Sequence, residues 1–235
     1  MLKDWSNVII PEEEEINERL EKARNKLVQQ QILIMQKKLP VLVSFDGWGA
    51  AGKGSILGKI IKNIDPRFFK VAVMDKPTED EKRRPFLYRY VINIPEAGKF
   101  TFMDGGCLDE VTKQKLSGKI TDEEYKRKIE SVKRFERQLS DNGYLVIKFF
   151  FHIGEQEQRK RLTRLLDDKN TRWRVSEYDL WQNQHYKKSL KAFDQFIDDT
   201  SQSIAPWYIV DATDKKWAQL QILETLVQAV DTALK

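Results

Sequence analysis

The sequence predicts an α/β fold: a three-layer αβα sandwich around a five-stranded parallel sheet, with a helical lid. Short apolar runs rich in β-forming residues alternate with segments of helical periodicity, which is typical of βαβ units. The runs are almost continuously apolar, so helices are expected to cover both faces of the sheet. A chain of 235 residues with 40% hydrophobic content fits one large domain of this kind.

The first predicted element is a helix at residues 12–38. It follows Pro11, begins with acidic residues and ends with basic ones, as the helix dipole favours. Its apolar residues share one face, which is expected to pack on the sheet domain: Ile16, Leu20, Ala23 and Leu27. We therefore expect residues 1–40 to be an N-terminal helix packed on the core, and residues 41–235 to be the main domain.

The strands and the remaining helices then alternate along the chain. Strands are predicted at VLVSF (41–45), KVAVM (70–74), KFTFM (99–103), YLVIKFFF (144–151) and PWYIV (206–210). Helices are predicted near residues 53–64, 79–93, 121–140, 155–167 and 214–234. Thr121 and Glu124 form a capping box at the start of one of them. Residues 168–200 are polar, aromatic and basic, and are expected to form a mobile lid in the last crossover.

The composition argues against several classes of protein. No run approaches the roughly 18 apolar residues of a membrane span, and the start lacks the order of a signal peptide, so we expect a soluble, cytoplasmic protein. The single cysteine, Cys107, excludes an internal disulfide and is interpreted as a small apolar filler. Any metal is expected to be a hard cation on oxygen ligands. The net charge of +5 is modest and no nucleic-acid recognition pattern occurs, so neither nucleic acid nor membrane is an expected partner.

The segment GWGAAGK, from Gly47 to Lys53, fits the phosphate-loop pattern G-x-x-x-x-G-K. It follows an apolar strand and precedes a helical pattern, which is the context that this loop requires; a simple glycine-rich turn is the alternative. The glycines let backbone amides face a phosphate, and the lysine ammonium can reach an outer phosphate. The residues expected to contact phosphate are Gly47, Gly49, Ala50, Ala51, Gly52, Lys53, Gly54 and Ser55.

The loop lacks the serine or threonine that usually follows the lysine, because Gly54 stands there. Magnesium must then be held by carboxylates, or by phosphate and water, since this ion keeps near-octahedral oxygen geometry and several waters. Asp46 and Asp104 are the predicted ligands because each ends a predicted strand. Ser55 ranks below them because it lies one residue further into the helix. These acids predict Mg²⁺ as the cofactor, with Mn²⁺ as the alternative.

Taken together, the motifs resemble those of the family-2 polyphosphate kinases. These phosphate-loop kinases move the terminal phosphate of inorganic polyphosphate onto a nucleotide, or the reverse. The likeness runs from about Val41 to Val227 and covers several motifs in the family's order. They are AAGKG, NIDPRFFKV, DKPTEDEKRRPFLYRYVINIPEAGKFTFMD, FERQLSDNGYLVIKFFFHIGEQEQRKRL, RWRVSEYD and APWYIVDATDKKWAQLQIL.

The resemblance implies a role for each matching residue. Lys53 would grip the transferred phosphate, and Asp104 would hold magnesium. Four more cations would contact phosphates: Lys76 and Arg89 in the channel, and Arg172 and Arg174 in the lid. Phosphoryl transfer requires positioning and charge neutralisation rather than a protein nucleophile, so this set of residues suits the chemistry.

Two pairs of residues each have two interpretations. Arg161 and Arg164 lie three apart on one helical face, and either extend the basic track or form an ordinary solvated surface. Trp173 and Trp181 of the lid are either core residues or platforms for a nucleobase.

The sequence departs from the family pattern at two places. Many members carry an aspartate where this chain has Gly49, and Asp46 is the candidate to take over its work. The family commonly reads aspartate-arginine-serine-tryptophan-tyrosine at the second acid, whereas this chain reads DGGCL from Asp104. Losing an arginine that neutralises transition-state charge can cost about a thousandfold or more in rate. The candidates to replace this arginine are Lys76, Arg83 and Arg84. Asp109 and Glu110 are the candidates to supply further carboxylates to the site.

The preferred hypothesis is a phosphotransferase that uses polyphosphate and a nucleoside mono- or diphosphate such as AMP, ADP, GMP or GDP. One alternative is an ATP-dependent kinase of nucleotides or other small molecules. The other is a catalytically weakened homologue that binds polyphosphate or nucleotide and regulates or scaffolds another process. The resemblance also implies a homo-oligomer, with the helix at 12–38 as a contact surface.

Overall fold

The computed structural model describes Leu2 and residues 10–235. Its strands are β1 (Val41–Gly47), β2 (Phe69–Val73), β3 (Phe100–Asp104), β4 (Leu145–His152) and β5 (Trp207–Asp211). Its helices are α1 (Glu13–Gln36), α2 (Lys53–Ile61), α3 (Glu79–Lys82), α4 (Tyr88–Val91), α5 (Cys107–Leu116), α6 (Asp122–Asp141), α7 (Glu155–Asp167), α8 (Glu177–Gln184), α9 (Tyr186–Thr200) and α10 (Lys215–Ala233). Within this part of the chain, no helix combines the length and apolarity that crossing a bilayer requires.

The five strands form one parallel sheet in the order β2-β3-β1-β4-β5. The predicted α/β fold with a five-stranded parallel sheet is therefore confirmed. The register places Phe45 of β1 opposite Asp104 of β3, so these two strands end side by side. In open α/β sheets ligands bind at the carboxyl ends of the strands, and that edge carries the candidate site here.

Helices cover both faces of the sheet. Helices α2 and α10 pack on one face, and α1 packs on the outside of α10. Helices α5, α6 and α9 pack together on the other face. Arg19 of α1 donates two hydrogen bonds to Glu224 of α10, at 2.9 and 2.8 Å, which adds a bidentate ion pair to the apolar contact between these helices.

Two segments differ from the prediction. The helix expected at 79–93 is divided into α3 and α4, because Pro85 lies between them and lacks the N–H that a continuous helix needs. The segment after Asp104, in contrast, forms the helix α5, for which no prediction was made. The lid region contains a 3₁₀ turn (Arg172–Arg174) followed by α8 and α9.

One ion pair lies inside the core, beneath the central strands. The Lys148 ammonium of β4 donates to both carboxylate oxygens of Glu136 of α6, at 2.8 and 2.9 Å, and to the Thr200 carbonyl at 3.0 Å. The Glu136 carboxylate also accepts a hydrogen bond from the Gln202 amide at 3.1 Å. Burial raises the pKa of Glu136 and lowers that of Lys148, so each charge depends on the other.

Candidate active site

The phosphate loop joins β1 to α2 through a strained turn. Gly47 has φ of +132°, and a Cβ there would lie 2.4 Å from the Phe151 carbonyl oxygen, so only glycine fits. Gly52, directly before α2, has φ of +93°, and Ala50 adopts φ of +61°, which is uncommon for a residue with a side chain. This backbone has the shape that presents loop amides to an anion at the start of a helix.

Lys53 lies across this turn. Its ammonium donates to the carbonyl oxygens of Gly47 and Trp48, at 3.0 and 3.2 Å. The side chain is half-buried, and no carboxylate of the described residues lies within 4.0 Å of it. The ammonium is therefore held over the loop by neutral carbonyl oxygens, which an anionic phosphate can replace because it is a stronger acceptor.

Asp104 lies where the missing loop hydroxyl would have been. A Cβ built on Gly54 would be 3.3 Å from Asp104 Oδ2, so the glycine leaves room for this carboxylate beside the first turn of α2. Burial raises the pKa of Asp104, and the nearby Lys53 charge acts in the opposite direction. A strand-end carboxylate next to the loop lysine is thus available to a hard cation.

Asp46 has a different environment. It is completely buried, and its Oδ1 accepts the backbone N–H groups of Gly106 and Asp109, at 2.9 and 3.4 Å. Its Oδ2 accepts the Ser44 hydroxyl at 2.8 Å. Asp46 on β1 therefore caps the start of α5. Burial raises the pKa of Asp46. Its role as a metal ligand stays a prediction, and the observed contacts give the carboxylate a structural task.

Asp179, on the first turn of α8, is a site residue that the sequence did not reveal. A Cβ built on Gly49 would lie 2.1 Å from Asp179 Oδ1, so this lid carboxylate fills the space that a side chain at position 49 would need. The same residue closes the capping box of α8 through Ser176. Gln182, one turn later, accepts the Gly49 N–H at 3.1 Å. The lid helix is thereby seated directly on the phosphate loop.

Asp109, at the start of α5, is a further acid near the phosphate loop. One of its carboxylate oxygens, Oδ1, is buried without a hydrogen-bond partner among the described residues. Burial raises the pKa of Asp109 to about 7, against the attraction of Lys53 and with the repulsion of Asp46, Asp179 and Asp104. A nearby cation lowers the pKa of such a carboxyl, because it stabilises the ionised form.

A group of cations borders the loop on the side of β4 and β5. The buried Arg161 of α7 donates to the carbonyls of Ala51, Ala212 and Thr213, at 3.3, 2.9 and 2.7 Å. It therefore joins the phosphate loop to the end of β5 instead of lying on a solvated face. Around it stand three exposed cations without an ion-pair partner among the described residues: Lys59, Arg164 and Lys215. Burial and the charges of this group lower the pKa of Lys215.

The structure does not bring every other predicted residue to the loop. Arg89 is buried, donates to the Asp75 carbonyl at 2.6 Å and lies 3.7 and 3.8 Å from Glu110 and Glu81, so it supports the segment that carries Lys76. Its role in a phosphate channel stays a prediction. The remaining predicted side chains are exposed to solvent: Ser55, Lys76, Arg172 and Arg174.

The lid tryptophans have different environments. Trp173 is 75% exposed, although its indole N–H donates to the Asn170 carbonyl at 2.9 Å and the Arg174 guanidinium lies 5.3 Å from its ring centre. Trp181 is partly buried and stacks between Tyr178 and His185. Trp173 is therefore not a core residue within the described part of the chain.

Comparison with known proteins matches this geometry to one family. The sequence profile described as Polyphosphate kinase 2 (PPK2) matches residues 11–235. The chain belongs to the polyphosphate kinase 2 family. A crystal structure of Polyphosphate Kinase 2 from Arthrobacter aurescens TC1 superposes with a TM-score of 0.86 at 26% identity, over 91% of this chain and 77% of that one. A crystal structure of a putative polyphosphate kinase 2 from Pseudomonas aeruginosa PA01 superposes with a TM-score of 0.92 at 27% identity, over 99% of this chain and 50% of that one.

Related sequences include phosphotransferases that are named for polyphosphate. A polyphosphate:AMP phosphotransferase of Pseudomonas syringae pv. tomato is 32% identical over 197 residues, which are 84% of this chain and 40% of that protein. An ADP-polyphosphate phosphotransferase of Pseudomonas aeruginosa is 29% identical over 205 residues, 87% of this chain and 67% of that protein. This polyphosphate kinase 2 chain thus spans about two fifths of the first relative's length.

Proposed function

We propose that the protein transfers the terminal phosphate of inorganic polyphosphate onto a nucleoside mono- or diphosphate, or catalyses the reverse reaction. The observation that carries the proposal is the asymmetry of the loop's surroundings. On the β4–β5 side, the exposed Lys59, Arg164 and Lys215 lie near one another without an ion-pair partner among the described residues, which suits a long polyanion. On the β2–β3 side, carboxylates and lysines are mixed, which suits a short phosphate with a metal ion.

The related proteins agree in substrate class. Relatives that match more than four fifths of this chain include proteins named for polyphosphate together with AMP, ADP, NDP or GDP. We take AMP and ADP as the first acceptors to test, with GMP and GDP next. A cytoplasmic location and a homo-oligomeric assembly stay predictions of the sequence.

The site residues fit Mg²⁺, with Mn²⁺ as the alternative. Asp104 Oδ2 faces the glycine that replaced the usual hydroxyl, and Asp179 places a second carboxylate beside Gly49. Among the described residues, no group of three or more His, Cys, Asp or Glu side chains is arranged to hold an ion. Magnesium commonly uses one or two carboxylates together with substrate phosphates and water. When bound, it would neutralise charge on the donor and acceptor phosphates.

The protein's own residues then act by position and charge. The loop amides and Lys53 hold the terminal phosphate of the donor, while the β4–β5 cations hold the chain behind it. The acceptor enters from the opposite side, as in-line attack requires. Its phosphate oxygen attacks the terminal phosphorus, the P–O bond to the donor chain breaks, and the bonding electrons stay on the shortened chain. The lid helix α8, seated on Gly49, excludes water from the reacting atoms.

The test uses the purified protein with polyphosphate, magnesium and AMP or ADP, and measures the next higher nucleotide by chromatography. We expect product with polyphosphate as donor. Product with ATP alone as donor would favour the ATP-dependent kinase. Tight binding of polyphosphate without any transfer would favour the non-catalytic homologue. Two sequence features already favour it: position 49 lacks the family's aspartate, and the position after Asp104 lacks the family's arginine.

Moving the carboxylate from position 179 to position 49 tests whether Asp179 takes the place of the family's loop aspartate. Gly49→Asp alone is expected to lower activity and to cost about 1–3 kcal/mol of stability, because its side chain needs the space of the Asp179 carboxylate. The double variant Gly49→Asp/Asp179→Ala returns the carboxylate to the loop and is expected to regain activity, although it loses the α8 capping box. Urea denaturation and the transfer assay measure both effects. A double variant no more active than Gly49→Asp would contradict the exchange.

A further inference from the structure

Lys113 lies between the strand-end carboxylates and the lid. It stands on α5, one turn after Asp109, and its Nζ is 4.4 Å from the centre of the Tyr178 ring on α8. Tyr178 precedes Asp179, the residue whose carboxylate fills the space at Gly49. The half-buried ammonium is therefore held at the junction of α5, the lid helix and the phosphate loop.

Lys113 has charged neighbours but no ion pair among the described residues. Asp179 and Asp109 attract the ammonium, but no carboxylate of the described residues lies within the 4.0 Å of an ion pair with it. Lys76, exposed after β2 and also without an ion-pair partner in that part of the chain, repels it. Burial is the main cause of the lowered pKa of Lys113, and Lys76 is the next. Two unpaired lysines kept near each other favour the approach of an anion.

The backbone after Asp104 cannot hold an arginine in the usual way. Gly105 has φ of +95°, and a Cβ there would lie 3.2 Å from the Met74 Cβ. The next residue is equally restricted, because a Cβ on Gly106 would lie 2.2 Å from Asp46 Oδ2 and 2.5 Å from the Ser44 hydroxyl. The family's arginine is thus excluded by the local structure, and its charge must come from elsewhere.

We infer that Lys113, together with Lys76, binds the phosphate of the acceptor nucleotide and supplies the positive charge that the arginine after Asp104 supplies in other members. The inference rests on the proposed function. Of the other candidates, Arg84 is paired with Asp80 at 3.0 Å and stacks on Tyr88, whereas Lys113 has no ion-pair partner among the described residues and is attracted by both Asp109 and Asp179.

The charges on the two sides of the phosphate loop favour the acceptor, rather than the donor, as the ligand of Lys113. Lys113 lies on α5, which follows β3, and thus on the side of the loop opposite the cations near Lys215. A short phosphate that shares a metal ion needs a few cations beside carboxylates, as found around Lys113. During transfer the lysine keeps its protons; it neutralises oxygen charge while the acceptor oxygen bonds to the donor's terminal phosphorus and the leaving chain departs.

The test compares Lys113→Gln and Lys113→Arg with Lys115→Gln. Lys115 is a matched control because it lies on the same helix, near the Tyr125 ring at 5.8 Å, and is paired with Asp122 instead of facing the site. Lys113→Gln is expected to lower kcat/KM for AMP or ADP by about tenfold to a hundredfold, through a higher KM of the acceptor and a lower kcat, since it removes a charged contact that is kept during transfer. Lys113→Arg keeps the charge and is expected to retain most activity. Lys115→Gln is expected to match the wild type.

Each outcome decides the inference. Unchanged kinetics in Lys113→Gln would overturn it, as would an equal loss in Lys115→Gln. Lower activity accompanied by a lower melting temperature in both Lys113 variants would assign the residue a structural role instead. If the wild type transfers no phosphate to any acceptor, the proposed function fails. Calorimetric titration with AMP then tests the phosphate site at Lys113 separately. Weaker AMP binding by Lys113→Gln would then support the phosphate site, and equal binding would overturn it.

Discussion

Replacing Lys53 with alanine is expected to lower the rate of phosphate transfer by about a hundredfold to a thousandfold, the cost of removing one preorganised group that stabilises developing charge. Among the described residues, its ammonium bonds only to the carbonyls of Gly47 and Trp48. The side chain is half-buried and makes no ion pair there, so the variant should melt at nearly the wild-type temperature. Initial rates with saturating polyphosphate and AMP measure the effect.

Two further variants separate charge from position. Lys53→Arg keeps the charge but replaces a compact ammonium with a planar fork, and is expected to restore little activity in so tight a loop. Lys62→Ala, at the exposed end of the same helix, is expected to behave as the wild type. A Lys53→Ala variant that transfers phosphate at the wild-type rate would remove the loop from the reaction altogether.

The second large effect concerns stability and involves the buried pair of Lys148 and Glu136. Glu136→Leu leaves the Lys148 ammonium buried with the Thr200 carbonyl at 3.0 Å as its only acceptor among the described residues. Breaking a buried pair in this way costs about 3–5 kcal/mol, because an uncompensated charge remains in the core. Urea denaturation at pH 7 measures the change in the free energy of unfolding.

The reciprocal variants test whether charge is the cause. Lys148→Met leaves Glu136, whose pKa burial already raises, so the carboxyl can remain protonated in the folded protein. A folded-state pKa above the unfolded value means that stability is highest at low pH and is lost as pH rises through the folded pKa. Lys148→Met should therefore be less stable at pH 8 than at pH 5. The double variant Glu136→Leu/Lys148→Met should recover most of the loss, and a double variant as unstable as Glu136→Leu would contradict this account.

Much of the site could be predicted because its signals are local. The phosphate loop needs glycines and a lysine at fixed spacing between a strand and a helix, and all of them are contiguous from Gly47 to Lys53. Asp104 was found in the same way, as the polar residue that ends an apolar run. The alternation of apolar runs with helical periods likewise predicted the parallel sheet, because each pattern reports which face of its own segment is buried.

Other features had no local signal. Helix α5 is capped by Asp46, which precedes Gly106 by 60 residues, so the glycines before it looked like the start of a loop. Asp179 and Gly49 are equally remote in sequence, and their contact depends on how α8 packs on the phosphate loop. The family resemblance suggested that Arg89 contacts phosphate; the structure shows its buried side chain directed toward Glu81 and Glu110, and its phosphate contact stays a prediction.

The amino-acid sequence alone determined the fold class, the candidate phosphate loop and the strand-end acid Asp104, because periodicity and spacing act within one element at a time. Only the tertiary structure decided which charges share a site. It brought Asp179 into the space at Gly49, turned Asp46 into a helix cap and placed Lys113 near Asp109 and Asp179. These pairings arise from packing between elements far apart in the chain, and electrostatic interactions depend on distance in space rather than along the sequence.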